Sequence, residues 1–410
     1  MQHTTYLIFA AVSLVFLPVQ IFNTDSRIIV TCSNRLSIYL EQEIKNLGYT
    51  PVRTFKTGVE LFGNLQDCIK LNMNLRCASQ VLFSIKEFRA VNADDVYKVL
   101  LDVAWEDILP TDGYFSISSN VSNETITNNL FANVKVKDAI ADRCRDKTGS
   151  RPDSGAVLNG AVIHLYWKEE AAEIFLDTSG ETLSKHGYRK IPGKAPMLES
   201  LAAAVIYASV WKGETPFINP MCGSGTIAIE AALIATKRVP GLYRNNYSFM
   251  HVKGYDYSMY KKELDAIEAQ VTERPDLKIT ASDISEDAIN ISKINAGMAG
   301  VEDMITYELC DFQLTNLPEQ EGSVIIFNPE YGDRLGEEKE LEETYSLLGD
   351  FMKKKCKGYT GYIFTGNLEL AKKIGLKPKK RIEFYTSKID CRLLEYELYA
   401  GTRDIRKSDV

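Results

Sequence analysis

The chain has 410 residues, 45% of them hydrophobic and 25% charged, enough for two or three globular domains with cores of their own. A net charge of −7 excludes a uniformly basic nucleic-acid binder, although residues 352–392 carry twelve Lys/Arg against three Asp/Glu and leave 36 against 52 elsewhere. The eight cysteines include no C-x-x-C pair and are accompanied by only four histidines, a pattern of free thiols in a reducing compartment that provides no metal site.

In chain order, residues 1–26 form an apolar N-terminal extension. The run from Tyr6 to Phe22 is short for a membrane span, no Lys or Arg precedes it and no Ala-x-Ala site follows, so an extension ahead of the folded part is favoured over a membrane anchor. Residues 27–83 open with a strand at Arg27–Cys32. A helix follows over Leu36–Lys45, closed by Gly48, then a strand at Thr57–Phe62 and a helix over Leu65–Leu75, an order suited to an α+β, ferredoxin-like module. Residues 84–168 carry a helix at Val96–Val103, a strand at Tyr114–Ser118, a helix at Ala132–Lys147 and a strand around His164, a residue expected at a strand edge or lining the core. From about residue 175 to 400 strands alternate with helices, as a doubly wound parallel α/β sheet requires, and Leu393–Tyr399 reads as a hairpin partner at that sheet's edge.

Three strand ends in this last part carry the chemistry. Asn219-Pro-Met-Cys-Gly-Ser-Gly-Thr226 joins an apolar strand to a helix through Gly223 and Gly225, residues that admit a ligand close to the backbone. The spacing is neither G-x-G-x-x-G nor a phosphate-gripping loop, so a ligand without phosphates fits better. Lys278–Asp283 is a short strand closed by a carboxylate, placed to accept from ribose hydroxyls or to cap the helix after it, in which Ala288, Ile291 and Ile294 share a face. The interval from glycine turn to acid far exceeds the usual ~20 residues, so Val239–Leu277 contains an inserted excursion. The strand Ile305–Asp311 ends in Asp311, suited to an exocyclic amino group of adenine. The strand Ser323–Asn328 runs into Asn328-Pro-Glu-Tyr331.

Taken in this order, these motifs resemble the class I S-adenosylmethionine-dependent RNA methyltransferases that carry a THUMP domain, specifically the guanine-N2 group. Leu176–Leu183, Gly187-Tyr-Arg189 and Ala195–Ala202 are similar to that family's approach to the catalytic domain. Leu75–Gln80 and Val136–Asp142 with Arg151-Pro152 look like its RNA-binding half. The resemblance implies a ferredoxin-like module at 27–83, a THUMP domain at 84–168 and a Rossmann-like methyltransferase domain at 175–400. It implies S-adenosylmethionine as cofactor, RNA as partner, no metal, no membrane and a cytoplasmic location. The cofactor residues it points to are Asn219, Cys222, Gly223, Gly225, Thr226, Asp283, Asp311 and Asn328.

A guanine amine is a poor nucleophile because its lone pair is delocalised into the ring. The side-chain oxygen of Asn328 and the carbonyl of Pro329 are expected to accept its two N–H bonds, with Tyr331 stacked on a flipped base. Cys222 is expected to serve as a small packing residue rather than a thiolate. Family members generally carry Asp where Asn219 stands and Pro where Glu330 stands; the reading remains an active variant, with Glu330 beside the reacting amine. Phosphate contacts are expected near Lys372–Arg381 and on the loop holding Lys185, Arg189, Lys190 and Lys194, whereas Lys353–Lys355 reads as a solvated helix face. Ribosomal RNA is favoured over tRNA. A DNA adenine-N6 methyltransferase and a non-catalytic RNA-binding protein are the alternatives.

Overall fold

The computed structural model of the chain describes residues 21–126, 128–193, 196–331, 338–386 and 389–399. Most of the expected extension, and Lys194 of the expected phosphate loop, lie outside these residues. Phe22 does not: it is 2% exposed and packs against the Tyr255 ring, so the end of the expected extension belongs to the core. Among the described residues no helix is long and apolar enough to cross a membrane.

The N-terminal half is built on one eight-stranded sheet. Its first part contains β1 (Ser26–Thr31), α1 (Ser37–Asn46), β2 (Arg53–Phe55), β3 (Gly58–Gly63), α2 (Leu65–Asn74) and β4 (Gln80–Arg89). Gly48, at φ 91°, turns the chain after α1. The side chain of Asn64 accepts from the backbone of Asp67 while Asp67 returns a bond to Asn64, a capping box that starts α2. The second part contains α3 (Ala93–Leu101), α4 (Trp105–Ile108), β5 (Tyr114–Ser122), α5 (Asn129–Thr148), β6 (Asp153–Gly155), β7 (Ala161–Lys168) and β8 (Ala171–Asp177). The sheet order β2-β3-β1-β4-β8-β7-β5-β6 joins the two parts through antiparallel pairing of β4 with β8. The expected boundary at 83/84 therefore falls inside β4, and that at 168 falls between the strands of a hairpin. His164 sits in an interior strand, where its Nδ1 lies 2.8 Å from Ser118 Oγ and burial lowers its pKa to about 4, as for a core-lining residue.

The second sheet holds β9 (Phe217–Pro220), β10 (Ile279–Asp283), β11 (Ile305–Leu309), β12 (Val324–Phe327), β13 (Thr360–Thr365), β14 (Lys380–Thr386) and β15 (Ile389–Glu397), in the order β11-β10-β9-β12-β13-β15-β14. Its helices are α6 (Glu199–Ala208), α7 (Thr226–Ala235), α8 (Tyr257–Glu268), α9 (Glu286–Met298), α10 (Glu338–Lys355) and α11 (Leu368–Lys373). The first five strands are parallel, and the order reverses at β9, which makes the crevice beyond the carboxyl ends of β9 and β12 the place for a ligand. β15 is an interior strand between β13 and β14, so the edge expected at Leu393–Tyr399 is formed instead by β14. The basic, alternating β14 tolerates an exposed edge; the apolar Leu393 and Leu394 of β15 do not.

The excursion expected within Val239–Leu277 folds back onto the N-terminal sheet. Its Glu263, on α8, accepts from Asn74 Nδ2 at 2.7 Å, and its Ser248 Oγ accepts from Val162 N at 2.8 Å. A side chain at Gly241 would meet Met73 O at 2.6 Å, which explains glycine where the turn touches α2. A single apolar core consequently runs through both halves.

A buried charge cluster crosses the same junction. Glu43 of α1 accepts from the backbone N–H of Arg76 (3.1 Å) and Cys77 (2.9 Å). The Arg76 guanidinium donates to the carbonyls of Leu233 (3.2 Å) and Arg238 (2.6 Å) and stands 3.7 Å from Glu230 of α7, close enough for attraction but too far for a hydrogen bond. Buried His186 lies 2.7 Å from Glu230 Oε1 through Nδ1 and 2.9 Å from the Arg76 carbonyl through Nε2. Burial opposes its charged form, but the Glu230 carboxylate and these two hydrogen bonds outweigh burial and raise its pKa above the ordinary value.

Arg76→Ala removes the shared countercharge of Glu43 and Glu230, which keep their bonds to the backbone and to His186, and is expected to cost about 3–5 kcal/mol in urea unfolding. Because the folded pKa of His186 is raised, its contribution to stability is complete below its unfolded value near pH 6.5 and is lost as pH rises through the raised value. Buried Asp177, pushed up to about 7 by burial, acts in the same direction, so the difference between wild type and His186→Gln across pH 5.5–9 isolates the histidine. A pH-independent difference would remove the imidazolium assignment.

Candidate functional site

The glycine turn lies at the carboxyl end of β9, next to that of β10. Met221, Gly223 and Gly225 all have positive φ (56°, 54° and 78°), so the chain turns sharply before α7. Gly223 N donates to Asp283 Oδ2 at 2.9 Å, and Asp283 Oδ1 accepts from Ser285 N at 3.0 Å. The helix cap itself is Ser285, whose side chain accepts from Ala288 N. Asp283 thus stiffens the glycine turn and keeps lone pairs on both oxygens for a further donor.

The two glycines answer different demands. A Cβ at Gly223 would meet nothing within 4 Å, so the turn borders open space there. A Cβ at Gly225 would fall 1.9 Å from Ser292 Oγ, so this glycine permits α7 and α9 to approach. The buried face of α9 is accordingly Ile289, Ser292, Asn295 and Ala296, not the expected Ala288, Ile291 and Ile294. Ile294 is 49% exposed, because the small and polar side chains are the ones that fit against the turn. Asn295 also donates to the Ile191 carbonyl (2.9 Å) and accepts from Lys190 N (3.1 Å), holding the linker beside the turn.

Asn219 is 1% exposed; its Nδ2 donates to the Ile326 carbonyl of β12 at 2.9 Å, and its Oδ1 is buried without a hydrogen-bond partner. Burial first, and then the charge of Asp283, push the Cys222 thiol up, in keeping with a packing role. Thr226 Oγ1 accepts from Arg189 at 2.9 Å. Arg189 is not the exposed phosphate contact expected: it turns inward, pairing with Glu199 at 3.4 Å. Lys185 and Lys190 of that loop are exposed. Asp311, one strand beyond Asp283, begins a short 3-10 turn and accepts from Gln313 N at 2.9 Å.

On the other side of β9, Asn328 and Tyr331 follow β12 and line a cavity of about 500 Å³, within the range of small-molecule and cofactor sites. Pro329 is buried and Glu330 exposed, and neither is among the residues lining the cavity. A Cβ at Gly366 would meet the Tyr331 ring at 3.1 Å and Ile389 at 2.6 Å, so this glycine seats the ring. Further walls come from Met197, Leu201, Phe364, Tyr385 and Thr386, and from Ser33 and Asn34 of the N-terminal half. Met197 and Leu201 lie in the Ala195–Ala202 segment, to which no site role was assigned, and sequence reasoning missed the other walls because they belong to no motif. The expected basic stretch is partly neutralised: Lys379 pairs with Glu397 (2.8 Å), Lys380 with Glu395 (3.4 Å) and Lys373 with Glu342 (2.9 Å). Lys353–Lys355 are exposed at the end of α10, as expected.

A strand order reversing at a glycine turn, a carboxylate at the neighbouring strand end and an Asn-Pro-x-Tyr turn across the crevice define a class I methyltransferase domain. The chain belongs to the RMKL-like methyltransferase domain family, whose model matches residues 186–395. Residues 27–82 match the RlmL ferredoxin-like domain and residues 90–177 the THUMP domain. A relative from Psychromonas ingrahamii, named ribosomal RNA large subunit methyltransferase K/L, is 34% identical over 372 residues, covering 88% of this chain and 49% of that protein. The chain spans about half the length of the curated relatives it matches. Among solved structures, SMU.472, described as a methyltransferase complexed with SAH, is 25% identical with a TM-score of 0.84, covering 93% of this chain and all of that one. A Listeria monocytogenes protein described as a predicted N6-adenine-specific DNA methylase is 28% identical with a TM-score of 0.83, covering 92% of this chain and 97% of that one.

Gly225→Ala is expected to destabilise the fold by about 1–3 kcal/mol from overpacking in addition to about 1–2 kcal/mol for its positive φ, with part of the overpacking loss restored by adding Ser292→Gly. Gly223→Ala meets no atom and should cost only the positive φ, about 1–2 kcal/mol. Urea unfolding of the three variants checks the distinction; equal losses, or no restoration by Ser292→Gly, would remove the packing role.

Proposed function

We propose that this chain transfers a methyl group from S-adenosylmethionine to the exocyclic N2 of a guanosine in RNA, with ribosomal RNA favoured over tRNA. The observation that carries the reading is the placement of Asn328 and Tyr331 on a cavity with room for a base, one strand from the glycine turn that Asp283 holds. The residues present fit the cofactor. Gly223 borders open space, Asp283 keeps acceptor capacity for ribose hydroxyls, and the unpartnered Asn219 Oδ1 is suited to an ammonium donor despite the missing charge. Cys222, Thr226 and Asp311 would complete that side, Thr226 through its place at the start of α7 and Asp311 toward the adenine amine.

The cofactor supplies a methyl group already activated on a sulfonium, so the chain's task is positioning. The Asn328 side-chain oxygen and the Pro329 carbonyl accept the two N–H bonds of the amine, aiming its lone pair out of the base plane. Tyr331 stacks on the base and excludes water. The one sheet shared by the expected 27–83 and 84–168 parts, and the apolar core it shares with the expected 175–400 part, would give the RNA a platform fixed relative to the pocket. The THUMP match supports RNA over DNA as substrate, and the relative's name supports ribosomal RNA. A cytoplasmic location, where donor and RNA meet, accords with this reading.

Purified protein incubated with labelled donor and unmodified large-subunit ribosomal RNA, tRNA or DNA, followed by nucleoside mass spectrometry, tests the proposal. N2-methylguanosine in ribosomal RNA is the expected product. N6-methyladenine in DNA would favour the adenine reading, and donor binding without product on any substrate would leave a non-catalytic RNA-binding protein. Asn328→Ala is expected to lower kcat by roughly 10²–10³ with donor affinity nearly intact. Asp283→Ala should instead weaken donor binding by roughly 1.5–3 kcal/mol in calorimetry.

A further inference from the structure

We propose that Asn34, in the N-terminal module, reads the Watson–Crick edge of the target guanine and is a specificity-determining residue of the pocket. The inference rests on the guanine-N2 reading above. Asn34 lines the same cavity as Asn328 and Tyr331, although it is almost three hundred residues away in sequence. Its Oδ1 is buried and has no hydrogen-bond partner. A buried acceptor of this kind normally finds a donor within the protein; one left unmatched on a side chain that lines a cavity can turn about χ2 to meet a ligand there. Ser33 and Thr386, the other small polar side chains lining the cavity, have no such unpartnered buried oxygen.

The loop that carries Asn34 is held in place by more than its own chain. Arg35 has φ 71°, a left-handed conformation rarely adopted by a long side chain. Its Nη1 lies 2.9 Å from both Glu383 Oε2 and Asp390 Oδ1, on the β14–β15 hairpin. The rings of Tyr39 and Phe384 stack beside this contact with centroids 5.9 Å apart. The hairpin that supplies Tyr385 and Thr386 to the cavity is thus tied directly to the loop that supplies Ser33 and Asn34. Such strain is tolerated where surrounding contacts fix the geometry.

The chemistry follows from the order of groups on the base. When a guanine places its C2 amine at Asn328, the next groups along the same edge are the N1–H donor and the O6 acceptor. A carboxamide complements both: Oδ1 accepts from N1–H, and Nδ2 donates to O6. A base with the amine but without N1–H and O6 leaves Asn34 unmatched. 2-Aminopurine is such a base.

The test uses the full chain and an RNA in which the methylated guanosine, once located by mass spectrometry, is replaced by 2-aminopurine riboside through splinted ligation. Wild type is expected to favour guanosine over 2-aminopurine by roughly 10- to 100-fold in kcat/KM, as for a two-point base contact. Asn34→Ala should lower kcat/KM for guanosine by a similar factor and leave the 2-aminopurine rate unchanged, so that the preference collapses. The near-isosteric Asn34→Asp retains an acceptor and should keep part of it. Donor affinity and melting temperature should match wild type for at least one of the two variants. An equal loss on both RNAs would make Asn34 merely structural, and an undiminished preference would exclude it from base reading; either result overturns the inference while the methyltransferase reading stands. Absence of guanosine methylation by wild type would overturn that reading, and this inference with it.

Discussion

The position of the glycine turn relative to the N-terminal sheet depends on the buried charge of Arg76. A guanidinium 4% exposed must be surrounded by acceptors and countercharge, or folding would leave it desolvated and unpaired. Its acceptors are the carbonyls at the end of α7 and just beyond it, and its countercharges are Glu43 on α1 and Glu230 on α7. One side chain therefore fixes where the ten-residue α7 ends, about 15 Å from where it begins. The glycine turn sits at that beginning. His186 bridges Glu230 and the Arg76 backbone, so the linker entering the catalytic half is held by the same cluster. The N-terminal half is a structural part of the catalytic half and not a tethered accessory, as their continuous core also requires.

The long excursion between turn and acid has its explanation in the same junction. A carboxylate about sixty residues from the turn would be remote if spacing along the chain decided contact. β10 pairs directly with β9, however, and Asp283 lies within 2.9 Å of Gly223 N whatever is inserted between the strands. The inserted segment is free to serve elsewhere, and it covers α2 and the start of β7 with Glu263, Gly241 and Ser248. Sheet pairing keeps the site constant, while the excursion increases the contact between the two halves.

This division also separates what was legible in the sequence from what was not. Elements with local signals were readable: the capped helix at Leu65, the strand at Tyr114, the glycine turn and the strand-end acids each announce themselves within a few residues. The family motifs placed Asn219, Asp283 and Asn328 at carboxyl ends of adjacent strands. Features set by distant partners were not readable. Pairing of β4 with β8 spans about ninety residues and merges two modules into one sheet. The face of α9 is chosen by Gly225, which needs a small neighbour such as Ser292, so an apolar-periodicity argument selects the wrong side. The inward turn of Arg189 depends on Glu199 and Thr226, which no charge count distinguishes from solvent. The cavity walls at Ser33, Asn34 and Tyr385 come together where Arg35 and the Tyr39–Phe384 stack join the first module to the last hairpin.

The charge distribution bears on how such a protein can be selective for a polyanion. The chain is acidic overall, and much of its basic C-terminal stretch is already paired: Lys379 with Glu397, Lys380 with buried Glu395, and Arg392 with Asp390. Each pair reduces the local positive potential, and exposed pairs contribute little to stability. For the proposed RNA substrate, pairing of this kind would leave only a weak phosphate attraction that salt readily screens. Discrimination then has to come from shape and from contacts made after the nucleotide enters the cavity. The walls of that cavity come from both halves of the chain, since one follows β12 and another follows β1. A pocket walled by two modules is completed only when their junction is intact, so the buried cluster around Arg76 bears on the shape of the pocket through the fold.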